Sequence, residues 1–169
     1  MSPRIVVAGE HSCWLLLTTR SYWANLQAIR EWAFAKRGNR GPPRIAEEDT
    51  GIVYLRAEYG QVSALGGIIE FQESPSERTR TESIFDRLYP IRAKIRILGI
   101  SDPPIPFKPF VNQMSFIRNK SNWGMHLQGN AARRLDKWDC TVLTHAIQAS
   151  TRRENNARTE GTEDKHRMR

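Results

Sequence analysis

The chain has 169 residues, about one domain's worth, with 26 Lys and Arg against 18 Asp and Glu. Its hydrophobic share of 39%, with five Trp, four Tyr and six Phe, excludes a wholly disordered chain. The longest apolar run, Cys13 to Leu17, is far short of the roughly 20 residues of a membrane span. Two cysteines, Cys13 and Cys140, make no disulfide framework and lack the CxxC spacing of a zinc site, so Cys140 reads as a small core hydrophobe. A soluble, cytoplasmic protein is expected, with no membrane contact, metal or cofactor.

Residues 1–12 carry no pattern and read as a short leader. Cys13–Thr19 is an apolar run that predicts a buried strand. Ser21 is an N-cap residue, and Trp23, Leu26 and Ile29 follow at helical spacing, predicting a helix to about Arg30. The Gly- and Pro-rich stretch 38–43 is a loop. Gly51–Arg56 and Gln61–Phe71 predict two strands paired antiparallel across Tyr59-Gly60, and polar residues 74–83 predict an exposed loop. Tyr89–Ile97 alternates Ile91, Ala93, Ile95 and Ile97 with Arg92, Lys94 and Arg96, the clearest strand in the chain. The prolines of 103–109 predict a rigid connection instead of a central strand. Asp136 caps a last helix whose apolar face holds Trp138, Val142, Leu143, Ala146 and Ile147, and a polar, disordered tail follows from residue 151.

The positive charge is concentrated. From Arg87 to Arg134 nine Lys or Arg face a single acid, Asp102, leaving the rest near neutral. A second knot joins Lys36, Arg37, Arg40 and Arg44. Such concentration attracts polyanions, so nucleic acid is the natural partner, with a solubilising surface as the plain alternative. The stripe of Arg92, Lys94 and Arg96 would meet phosphates, joined by Lys36, Arg37, Arg118 and Lys120. Trp23 and Trp138 sit on helix faces and predict core packing. Trp14, Trp32 and Trp123 do not, and the last two lie beside cations, a pairing that suits base stacking. No P-loop, GxGxxG, HExxH or GxSxG motif is present, and no nucleophile, base and orienting group assemble.

The linked segments Tyr89-Pro90-Ile91-Arg92-Ala93-Lys94-Ile95, Phe107-Lys108-Pro109, Ser115-Phe116-Ile117-Arg118-Asn119-Lys120 and Trp123-Gly124-Met125-His126 resemble the stand-alone prokaryotic EVE-domain proteins. These belong to the PUA-like superfamily and are relatives of YTH domains. The resemblance covers Cys13 to about Ala149 and implies an α+β domain over residues 13–150. It would be a compact, curved β-barrel of five or six mostly antiparallel strands flanked by a few helices. It implies a binding module, not an enzyme, that reads a modified base of DNA or RNA extruded into an aromatic pocket. Trp32 is then the leading pocket residue, with Trp123 or Trp14 beside it and Asn119 or Ser115 as polar contact. A nuclease or amidohydrolase on a related ASCH-like barrel is the competing expectation. It would need a polar catalytic group, Lys or Glu, deep in the pocket; the sequence offers Lys36, Lys94 and Lys120, with no buried-looking acid beside them.

Overall fold

A computed structural model describes residues 11–79, 83–128 and 131–167, with side chains through Arg152. Seven strands form one curled mixed sheet. They are β1 (Cys13–Thr18), β2 (Glu31–Phe34), β3 (Thr50–Leu55), β4 (Ala64–Phe71), β5 (Ser76–Glu77), β6 (Ile91–Pro106) and β7 (Ala132–Leu135). Their order is β2-β6-β4-β3-β1-β7, with the two-residue β5 also paired to β6. Only β1 and β3 run parallel; the other pairs are antiparallel. Three helices, α1 (Arg20–Ile29), α2 (Ile84–Leu88) and α3 (Lys137–Arg167), pack around it.

Strand β6 is the spine. Its first four residues, Ile91 to Lys94, pair with β2 and β5, and from Ile95 onward it pairs with β4. It runs through the proline segment expected to be a connection. Between Gly67↔Ile100 and Leu65↔Ile105 the ladder skips, so Asp102, Pro103 and Pro104 lie where no amide has to pair, and the prolines cost no sheet hydrogen bond. At Gly67 the strands come so close that a Cβ would run into the Gly99 carbonyl. The antiparallel β3–β4 pair stands as expected.

Several local expectations shift. Thr19, not Ser21, caps α1, and Arg30 ends it in the left-handed region. Trp32 lies in the strand β2, and Ser83 caps α2 inside what reads as polar loop. Asp136 does cap α3, its Oδ1 accepting from the Asp139 amide at 2.8 Å. Helix α3 runs on to Arg167, past the start of the expected tail; Arg, Glu, Ala and Lys are good helix formers and no proline interrupts them. Its buried stripe is Asp139, Leu143 and Ile147, four residues apart, which turns Trp138 outward at 64% exposure and corrects its expected place in the core. Most of the expected leader, residues 1–10, lies outside the described residues.

The sheet separates two cores. Alternation along β1 sends Cys13, Leu15 and Leu17 toward α3, into a core with Tyr54, Phe107, Leu143 and Ile147. Leu16 points the other way, toward α1, into a core with Trp23, Trp32, Phe34 and Phe71. The two cysteines, expected to be unpaired, form a disulfide that ties β1 to α3, with Cα atoms 6.2 Å apart. A separation of 127 residues leaves no spacing signature for such a pair.

Candidate functional site

On the α1 side, the expected pocket is closed. Strand β2 turns Trp32 and Phe34 inward, and Trp23 of α1 lies over Trp32 with ring centroids 6.0 Å apart. Trp32 is 1% exposed, so its ring has no face to offer a ligand. Beside it Tyr22, Phe85 and Tyr89 form a triangle of half-buried rings, each pair of centroids 5.0 to 5.5 Å apart.

Two of the three cations of the stripe are also taken up. Arg92 is 2% exposed, and each of its three guanidinium nitrogens donates a hydrogen bond: to Glu31 at 3.1 Å, Asp86 at 2.8 Å and the Tyr89 carbonyl at 2.7 Å. Its guanidinium also stacks 4.7 Å over the Phe85 ring. The Ser83 hydroxyl, and the Arg92 charge behind it, hold the Asp86 carboxyl below its ordinary range against a push from burial. This corrects Arg92 as a phosphate contact: a guanidinium with two carboxylates has no charge to spare. Arg96 pairs with Glu70 at 3.0 Å, and Lys36 with Glu77 at 3.1 Å. Lys94 stays in solvent on the same face.

The segment 115–126 is occupied with its own architecture. The Ser115 amide and hydroxyl donate to Asp139, and the hydroxyl also reaches Asp136. The Asp139 amide first, then the Ser115 hydroxyl, hold the Asp136 carboxyl below its ordinary range. The Asn119 side-chain carbonyl accepts from Ser121 and Asn122, and Lys120 Nζ donates to the carbonyls of Val111 and Met114. Ser115, Asn119 and Lys120 thus brace a loop between two 3-10 turns, Lys108–Gln113 and Trp123–His126. Arg118 is exposed. Trp14, half-buried, donates its Nε1 to Asp49 at 3.0 Å.

Trp123 is different. One side of its ring leans on Phe107, 5.5 Å between centroids, and it lines an open trough of about 760 Å³ with Tyr54, Val62, Pro106, Lys108 and Pro109. The trough continues past Tyr54, Ala57 and Gly124 into a smaller cleft of about 380 Å³ that holds Arg37, Arg56 and Gln128. Burial pushes the Tyr54 phenol up, against a hydrogen bond from Ser63 and the Arg56 charge, so at neutral pH it remains a donor. The result is an apolar slot with rigid aromatic walls, two neutral hydroxyls and cations at its ends. Of the sequence candidates it gathers Trp123 and Arg37. Tyr54, Arg56 and Val62 were missed, because they sit on a strand end and its hairpin with no motif to flag them. Among the described residues no group of three His, Cys, Asp or Glu could hold a metal, and no helix is long and apolar enough to cross a membrane.

The fold has solved counterparts. The YTH domain of Mmi1, determined in complex with RNA, superposes with a TM-score of 0.60 at 10% identity, covering 85% of this chain and 82% of that one. The human THYN1 protein in complex with DNA containing 5-methylcytosine gives 0.52 at 8%, over 80% and 97%. A Pseudomonas syringae protein gives 0.53 at 13%, over 80% and 98%. The curled sheet is therefore the fold of the YTH domain and of THYN1. No family profile matches the chain. A UPF0310 protein of Pyrococcus abyssi is 31% identical over 139 residues, spanning 78% of this chain and 96% of its own length. A UPF0310 protein of Pyrococcus horikoshii is 30% identical over 139 residues, at 77% and 94%. The chain belongs to the UPF0310 family.

Proposed function

We propose that this protein is a nucleic-acid-binding domain of the EVE type that takes an unpaired base into the Trp123 trough. The observation that carries this reading is the Trp123 ring, fixed on one side by Phe107 and open on the other into a slot that also contains Tyr54. A base leaving its stack must recover a few kcal/mol, and a ring already held in place supplies that with little loss of freedom. The Tyr54 phenol and Ser63 hydroxyl give polar contacts for a base edge, and Lys108, Arg37 and Arg56 lie where the flanking phosphates would pass. The RNA held by the Mmi1 YTH domain and the methylated DNA held by THYN1, on the same fold, support the choice of partner. A methyl group on the base would add about 0.8 kcal/mol of apolar burial against Val62 and the prolines, a discrimination of several-fold.

The test is fluorescence anisotropy with labelled single-stranded and duplex DNA and RNA, plain and 5-methylcytosine-containing. Single strands should bind best, and Trp123→Phe should keep most of the affinity that Trp123→Ala loses. A folded Trp123→Ala protein that binds every probe as the parent does would overturn the reading.

A further inference from the structure

A larger groove, about 900 Å³, runs between α3 and the starting ends of β1 and β3, and the Trp123 trough does not include it. Its floor holds the Cys13–Cys140 disulfide, and its rim carries Arg134, Lys137 and Arg152. All three are exposed, and among the described residues none has an ion-pair partner. The acid that lines the groove, Asp136, already accepts from the Asp139 amide and the Ser115 hydroxyl. His11, also on the rim, is paired with Glu48 at 3.1 Å. The groove thus keeps a net positive charge that the β6 face has lost.

Its placement relates it to the trough. Cys13 and Leu17 point to the same side of β1, four residues apart, about 13 Å along the strand. Cys13 lines the groove and Leu17 lines the cleft that continues the trough. Thr50 and Tyr54, their partners on β3, repeat the arrangement. The two openings therefore share one side of the sheet and lie at opposite ends of its parallel pair. Resting on the trough as the base site, we propose that the α3 groove is a second station for the same single strand. In it Arg134, Lys137 and Arg152 hold phosphates several nucleotides away from the inserted base. The groove would add affinity and length dependence without reading sequence.

A thymidine trimer and a thymidine dodecamer, each fluorescently labelled, provide the probes, with uridine oligomers as the RNA arm. The parent protein should show a steeper salt dependence for the dodecamer than for the trimer, by about two in the log–log slope for three phosphates. The triple variant Arg134→Gln, Lys137→Gln, Arg152→Gln should lose that difference and weaken dodecamer binding about tenfold or more. Trimer binding should stay within a factor of two. Equal slopes for the two lengths in the parent, or a folded triple variant that holds the dodecamer unchanged, would refute the groove. If Trp123→Ala abolishes binding of both lengths while the triple variant changes neither, the trough stands and the groove alone falls. If the parent binds neither probe, both readings fall together.

Discussion

The two sides of the sheet are built on opposite plans. Facing α1 and α2, the features that draw most attention in the sequence are consumed: Trp32 lies under Trp23, and Arg92 is locked between Glu31, Asp86 and the Phe85 ring, leaving Lys94 of its stripe exposed. Facing α3, Trp123 is left with an open edge, and Arg134, Lys137 and Arg152 keep no acidic partner among the described residues. Charge counted along a chain is therefore a poor map of potential. Acids that arrive from other elements decide where cations are neutralised, and the inactive-looking side retains the field.

Four substitutions can break this comparison or sharpen it. Trp32→Ala has the largest expected effect, because it empties a fully buried site: about 4 kcal/mol of stability lost, read by urea denaturation. A stable Trp32→Ala protein with impaired ligand binding would move the site to the α1 side. Trp123→Ala should do the reverse, leaving the melting transition nearly intact while affinity for single strands drops by about 1–3 kcal/mol in a titration. Arg96→Ala removes an exposed pair with Glu70 and should change both stability and affinity by less than about 0.5 kcal/mol. A marked loss of binding there would restore the β6 stripe as a phosphate contact.

The smallest change concerns pH. Asp136 has its folded-state carboxyl lowered by the Asp139 amide and the Ser115 hydroxyl, so the ionised form favours the fold. Its contribution is present above the ordinary value of 3.8 and is lost as pH falls below it toward the folded value. Asp136→Asn keeps a capping side chain but cannot ionise. Melting temperatures between about pH 5 and pH 2 should fall less steeply for the variant than for the parent. Parallel curves would remove Asp136 from the acid response.

How far these differences could be read in the sequence depends on what each residue had to find. Strands β1, β3, β4 and the first half of β6 follow from patterns within a few residues, as does the Asp136 cap. Alternation at Ile91–Ile97 marks which residues share a face, but not what lies opposite. One of the two carboxylates that fix Arg92, Glu31, is 61 positions away, and nothing near Arg92 announces it. The same limit hid β7, four residues that become a strand only by pairing with β1. Trp123 was legible as a tryptophan beside a lysine, yet its other walls, Tyr54 and Val62, come from a hairpin some sixty residues earlier.

The bond between Cys13 and Cys140 also sets the chain's covalent topology. It joins the first strand to the last helix and closes residues 13–140 of the backbone into a ring. A single nick anywhere in that ring leaves one covalent body until a reductant is added, so cleavage fragments would travel together. The ring also forbids two copies from trading β1 or α3 once oxidised, because a swapped element would have to be threaded through a closed loop.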